Sequence, residues 1–328
     1  MDIDHKDDKE ESTPAIVAAI IGNILVGIVK FIAFICTNSS AILAESLHSF
    51  VDTFNGVVVA IGIKSSKKPP TLEHPFGYGK NLYFYSFVVA LLIFSLGGAV
   101  SIFKGVTAII NPEPLGDPLI NYIICGCAIL IEGASFTVAW RTAKKIRGNM
   151  GVIQYIKTGK DPSAFVVLFE DSAAELGLIV ALIGIFLSHL TGNPIFDASA
   201  SIVIGLILIA VAGILIKETK SLLIGEGLSA EEIDELVKII EKDKYVRCCG
   251  QILTQYMGPK DLIVNIDVSF AEHASEVEVL NAIDRIEKQI TTLHPEANRI
   301  FVEAESMYST LKQHNKQERL IKRAESEL

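Results

Sequence analysis

Aromatic residues make up only 8% of the 328-residue chain, with a single tryptophan, so its 50% hydrophobic content comes mainly from Ile, Leu, Val and Ala. Those are the residue types that fill membrane-spanning helices. The five cysteines, Cys36, Cys125, Cys127, Cys248 and Cys249, are an odd set without a spaced pair of pairs. They point away from both a disulfide framework and a zinc finger. Positive charge is also short, with 29 Lys and Arg against 38 Asp and Glu and a net charge of -9. Nucleic acid is therefore excluded as the main partner, since phosphate contacts need clustered basic side chains, and cations are favoured. The first residues, MDIDHKDDKEEST, contain no basic region or cleavage site, so 1–13 reads as a solvated acidic tail with an inert His5 rather than a signal peptide. No G-x-x-x-x-G-K-[ST] phosphate loop occurs, which leaves no ATPase to drive chemistry or movement.

What the chain has instead is a mean hydropathy of +0.43 beside 20% charged residues, a combination that a single soluble domain does not give. Six apolar stretches each approach the roughly 20 residues needed to cross a bilayer. They run over 16–36, 41–63, 83–110, 119–142, 164–190 and 195–216. The segment Asn38-Ser39-Ser40 makes the first connection a tight hairpin. Lys64, Lys67, Lys68 and Lys80 follow the second stretch, and Arg141, Lys144, Lys145, Arg147, Lys157 and Lys160 follow the fourth, whereas TNSS, NPEPLGDP and SHLTGNP carry no Lys or Arg. Positive loops stay inside, so both termini are expected in the cytoplasm of a multi-pass protein, in a bacterial inner membrane or an organelle membrane.

After Lys217 the pattern becomes that of a soluble domain. Ser229 and Glu232 have capping-box spacing, and Ile233, Leu236, Ile239 and Ile240 recur at helical period. QILTQYM and DLIVNIDVSF, joined at Gly258-Pro259, read as a strand hairpin; Val277, Leu280, Ile283 and Ile286 mark a helix, and RIFVEAES a third strand. The expected organisation is an all-α six-helix transmembrane domain over 14–224, an α+β ferredoxin-like cytoplasmic domain over 228–307, and a charged tail over 308–328.

Ionisable residues inside spans cost roughly 2.5 to 3.5 kcal/mol each and so are functional candidates. The second stretch carries Glu45, His48 and Asp52, with His48 and Asp52 four apart on one helix face. Imidazole nitrogen and carboxylate oxygen suit a borderline divalent metal such as zinc; a plain His–Asp hydrogen bond across a bundle is the alternative. The fifth stretch supplies Glu170, Asp171 and Glu175, which repel one another at membrane depth unless a cation or protons neutralise them; the alternative is a position near the cytoplasmic surface. Small residues Ser172, Ala173 and Ala174 allow close packing against another helix, naturally the second.

The segments SSAILAESLHSFVDT, HPFGYGK and LTGNPIFDASASIVIGLILI, taken with the six spans and the α+β tail, resemble the cation diffusion facilitator family. NPEPL, the insert around RGNMGVIQYIKTGKDPS and VLFEDSAA look more like its zinc transporter nine-like branch. The resemblance implies a homodimeric, proton-coupled divalent-cation efflux transporter working by alternating access. Its cargo would be Zn2+, with Mn2+, Co2+, Fe2+ and Cd2+ as further candidates, protons the counter-ion, and no prosthetic group. The implied metal ligands are His48, Asp52, Glu170 and Asp171. The family pairs a His-xxx-Asp in helix five with helix two, but no histidine precedes His189 here. Ungapped alignment sets Glu170 at the family His and Ala174 at the family Asp; a gap would set Asp171 at the Asp and Val167 at the His, and Glu175 is a third choice. Three carboxylates to one imidazole make a harder site, with selectivity widened toward manganese.

Other positions carry weaker expectations. His74 is a turn-stabilising histidine or a peripheral ligand, and Lys80 stands where relatives have a basic residue paired with an acid. Glu132 and Lys104 stand isolated in their helices and are candidates for internal pairing. In the soluble domain the strand positions that hold regulatory metal in relatives are occupied by Asn265, Asp267, Phe301 and Glu303, His273 and His294 lie in loops, and the Cys248-Cys249 pair offers metal-binding thiolates or, as the commoner case for adjacent cysteines in a buried turn, a structural role. A dimerisation module follows. The competing functions are a metal-dependent intramembrane enzyme, which lacks an H-E-x-x-H pair and an obvious nucleophile, and a metal-sensing membrane scaffold.

Overall fold

The computed structural model describes residues 12–112, 116–148, 150–151, 159–305 and 314. The expected acidic tail up to residue 11, the segment 152–158 and most of the charged tail lie outside the described residues. Two compact units divide between Ser65 and Ser66, Lys80 and Asn81, and Lys220 and Ser221.

The first unit is built from helices α1 (Ser12–Thr37), α2 (Ser40–Ser66), α3 (Lys80–Ile110), α4 (Pro118–Arg147), α5 (Pro162–Thr191) and α6 (Ile195–Ile224). Five of these, α2 to α6, are long and apolar enough to cross a membrane, and α1 contributes a shorter apolar stretch, Asn23–Thr37. Their ends follow local chemistry. Asn38, at φ 57, closes α1 in the left-handed conformation, its N–H donating to the carbonyl of Phe34 at 2.7 Å. Asp117 and Asp161 cap α4 and α5 ahead of Pro118 and Pro162, and Gly192, at φ +67, ends α5. The start of α2 is capped from a distance: the Asp197 carboxylate, in the first turn of α6, accepts the Ser40 N–H at 2.6 Å and the Ser39 hydroxyl at 2.5 Å.

Burial runs along the helix interior through Ile42, Ile93, Phe165, Ile185, Ile204 and Leu208, while Phe103, Leu130, Val138 and Phe186 are exposed. The polarity is that of a bundle whose outer surface meets lipid rather than water. Close approach of α3 to α6 depends on glycine: a Cβ on Gly98 would stand 2.6 Å from Ile209, and one on Gly205 would stand 2.7 Å from the Gly98 carbonyl. Over Ile93–Ala99, α3 winds as a π-helix beside that contact.

The second unit holds α7 (Ala230–Ile240), β1 (Val246–Gly258), β2 (Asp261–Phe270), α8 (Glu276–Leu293) and β3 (Ala297–Ala304). Strand β2 is central, antiparallel to β1 and parallel to β3. Its Leu262, Val264, Ile266 and Val268 are buried with Leu236 of α7 and Ile286 and Ile290 of α8. Capping boxes start both helices, Ser229–Glu232 and Ser275–Glu278. Cys248 and Cys249 correct the expectation of a turn: they are paired residues of β1, opposite Ser269 and Val268. β1 begins earlier than QILTQYM because the ladder to β2 continues past a bulge at Cys249/Ile252.

An ion pair ties the turn after α7 to α8. Asp243 accepts from Arg285 Nε at 2.7 Å and Nη2 at 3.0 Å, and these bonds hold its carboxyl below the ordinary 3.8. A depressed carboxyl contributes stability that is present above its ordinary titration range and is lost as the pH falls through the lowered one. Because Arg285 is half-exposed, Arg285→Gln should weaken this unit modestly at neutral pH, and the loss should vanish in strong acid. Hydrogen exchange of the α8 amides in the whole chain measures it: roughly five-fold faster opening is expected at neutral pH.

Candidate metal site

Helix α2 places its polar residues on one stripe: Glu45, His48 and Asp52 recur at intervals of three and four, and Asn55 follows by three. His48 is 1% exposed, and its Nδ1 stands 3.3 Å from Asp52 Oδ1 without the alignment of a hydrogen bond. Asn55 Nδ2 donates to Glu170 Oε1 at 2.7 Å, tying α2 to α5 at this depth. About 100° further round α5, Asp171 instead accepts from Ser135 of α4 at 3.1 Å. The structure therefore brings Glu170 to the helix carrying His48 and Asp52 and leaves Asp171 beside α4.

A second polar layer sits one turn away. Glu45 and Glu175 are both displaced from the first layer toward the start of α2 and the end of α5. Lys30 of α1, 1% exposed, is 3.1 Å from Glu45 Oε2 and 2.7 Å from Glu132 Oε1. Glu132 is thus paired internally, as expected for an acid standing alone in its helix, whereas Lys104 is exposed on α3. The Glu175 carboxylate lies against Gly133 of α4. Glu45 Oε1 occupies the space where a Cβ of Gly177 would stand, so a larger residue there would require the Glu45 carboxylate to shift.

The two layers share an electrostatic peculiarity. Both ring nitrogens of His48, Asp52 Oδ1, Asn55 Oδ1, Glu45 Oε1, Glu132 Oε2 and Glu175 Oε2 are buried without a hydrogen-bond partner among the described residues. Orphaned polar atoms at this density are costly unless a ligand completes them. One imidazole with carboxylate oxygens is a donor set for a divalent cation, with Asn55 and Ser135 holding the acids in place.

The sequence comparisons bear on the same region. A family model described as the cation efflux transmembrane domain matches residues 16–224. The chain belongs to the cation efflux, or cation diffusion facilitator, family. It is 33% identical over 257 residues to the mitochondrial proton-coupled zinc antiporter SLC30A9 of Xenopus laevis, covering 78% of this chain and 46% of that one. It is 32% identical over 263 residues to metal tolerance protein C4 of Arabidopsis thaliana, 80% of this chain and 58% of that protein. The manganese efflux system protein MneS of Bacillus subtilis is 23% identical over 286 residues, 86% and 93% of the respective chains. This family member spans about half the length of the first two relatives. Antiporter and efflux protein are transporters, which sets the enzyme reading aside, and the helices agree with a multi-pass membrane protein.

Asn55, Ser135, Lys30 and Glu132 are the residues that reading for metal ligands passes over. The signal was present, since each is a polar residue in an apolar helix, but its partner stands on another helix. Removing the ammonium strands two buried carboxylates, so Lys30→Met should destabilise the bundle by about 3 to 5 kcal/mol. Adding Glu45→Gln and Glu132→Gln should restore most of the loss. Thermal unfolding in detergent tests both; a Lys30→Met variant as stable as wild type would contradict the pairing.

The remaining candidates lie apart. His74 stacks on Tyr78, centroids 4.4 Å apart, in a turn where its own N–H donates to Thr71. His294 follows α8 with Nδ1 3.3 Å from Glu296.

Proposed function

We propose that this protein is a proton-coupled divalent-cation efflux transporter, with zinc as its cargo, that works as a homodimer by alternating access. His48, Asp52 and Glu170 hold the metal, and Asp171 completes or supports the set from the α4 side. The observation carrying this reading is the group of buried, unpartnered donor atoms on α2, adjoining the Asn55–Glu170 bond to α5. The names of the antiporter and of the metal efflux protein support cation transport. The imidazole favours zinc over manganese, while the carboxylates widen the range toward manganese, cobalt, iron and cadmium.

In this account α1 is the sixth span, 14–224 is the transport domain with both termini cytoplasmic, and 228–307 is a ferredoxin-like dimerisation domain between tails 1–13 and 308–328. Two helices exposing a site of orphaned donors to alternate sides need no resident cofactor: the cation is cargo, and the protein supplies ligands and a path. Carboxylates and imidazole must be deprotonated to bind metal, so metal entry displaces whatever protons the empty site holds and binding weakens as the pH falls. That exchange is the coupling.

Flux of zinc into liposomes containing the reconstituted protein, with a pH-sensitive dye inside, tests the reading. Wild type should move zinc one way and protons the other at zero membrane potential. His48→Ala and Asp52→Ala should each abolish zinc flux while leaving a folded protein, because each removes a ligand from a small set. Glu170→Gln should impair flux more than Asp171→Asn, and Asn55→Ala should lower zinc affinity about 10- to 100-fold by releasing Glu170. Wild-type-like flux in His48→Ala or Asp52→Ala would overturn the site. Zinc movement without proton counter-movement would overturn the coupling.

A further inference from the structure

A second group of metal-ligating side chains lies in the soluble unit and uses no residue of the transport site. Among the described residues, Glu241, Cys248 and His314 bring a carboxylate oxygen, a thiol sulfur and an imidazole nitrogen within 4.8 Å of one another. Three different parts of the chain meet there: Glu241 is the C-cap of α7, Cys248 lies near the start of β1, and His314 comes from beyond β3.

The peptide of Cys249 gathers all three. Its N–H donates to Glu241 Oε1 at 3.2 Å, and its carbonyl accepts from the Cys248 thiol at 3.4 Å and lies 2.9 Å from His314 Nδ1. When Nδ1 donates to that carbonyl, the lone pair is on Nε2, the tautomer control seen behind metal-bound histidines. Glu241 adds a second argument. A helix C-terminus carries partial negative charge, so a carboxylate at this cap is placed where the local field favours a cation. The strand neighbour Cys249 does not belong to the group, because adjacent residues of a strand point to opposite faces.

We propose that Glu241, Cys248 and His314 form a zinc site separate from the transport site. One thiolate, one imidazole and one carboxylate suit zinc and disfavour magnesium, calcium and manganese, and three protein ligands leave water at the fourth tetrahedral position. Zinc there clips the segment carrying His314 to the end of α7 and the edge strand β1. Metal binding releases the thiol proton, and the Cys249 carbonyl loses the weak thiol contact while keeping the histidine.

The test uses the whole chain in detergent, loaded with cobalt as a spectroscopic probe and with zinc for stoichiometry. Thiolate ligation gives cobalt a charge-transfer band that oxygen and nitrogen ligands do not. Wild type should show the band and bind one more zinc per chain than Cys248→Ser. The band should be lost in Cys248→Ser, weakened or shifted in His314→Ala, and kept in Cys249→Ser and in His48→Ala with Asp52→Ala. Absence of the band in wild type, its survival in Cys248→Ser, or no change in His314→Ala would overturn the site. Loss of the band with the His48 and Asp52 substitutions would also overturn it as a separate site. Should Cys248→Ser not fold, His314→Ala carries the same decision, because His314 is only partly buried. Failure of zinc flux in liposomes would leave this outcome untouched.

Discussion

A carboxylate held away from water must be matched by a cation, a donor or a proton, and in the helical unit this requirement organises the interior. Lys30 meets it for Glu45 and Glu132, Asn55 for Glu170, and Ser135 for Asp171. Asp197 meets it at the start of α2 through the Ser39 hydroxyl and two backbone N–H groups. Each match joins two helices, so the polar interior is also the framework that fixes how the helices pack. Glycine at 177 is part of the same requirement, since Glu45 fills the space in front of it.

Where matching stops, chemistry can begin. His48 is buried and Asp52 nearly so, yet both ring nitrogens of His48 and Asp52 Oδ1 have no hydrogen-bond partner among the described residues. The layer built around Lys30 carries a fixed internal cation, and among the described residues none is paired with the layer around His48. The two layers thus differ: one holds an internal ammonium between two of its carboxylates, and the other is the layer proposed to take a cation. A transporter needs that difference, because a site fully satisfied from within the protein would have nothing to exchange.

Much of this was readable in the sequence because it is periodic. The apolar stretches, the His48–Asp52 spacing, the Ser229–Glu232 capping box and the strand hairpin at Gly258-Pro259 are local patterns, and local patterns survive without coordinates. The helix-five register was not readable: Glu170 and Asp171 are neighbours in sequence, and only their rotation about α5 sends one to Asn55 and the other to Ser135. The Lys30 pairing was equally hidden, being made between residues 15 and 102 positions apart. Cys248 and Cys249 precede the run QILTQYM that marks the strand in the sequence, and only the ladder to β2 shows that they belong to it.

The central claim is that metal binds between α2 and α5 at His48, Asp52 and Glu170. An anomalous difference map at the zinc edge, from crystals of the zinc-loaded chain, addresses it without relying on transport. The account predicts a peak within bonding distance of His48, an Asp52 oxygen and a Glu170 oxygen, lost in crystals of His48→Ala. A zinc-loaded structure with no peak there, or with Glu45, Glu132 and Glu175 as the ligands instead, would contradict it.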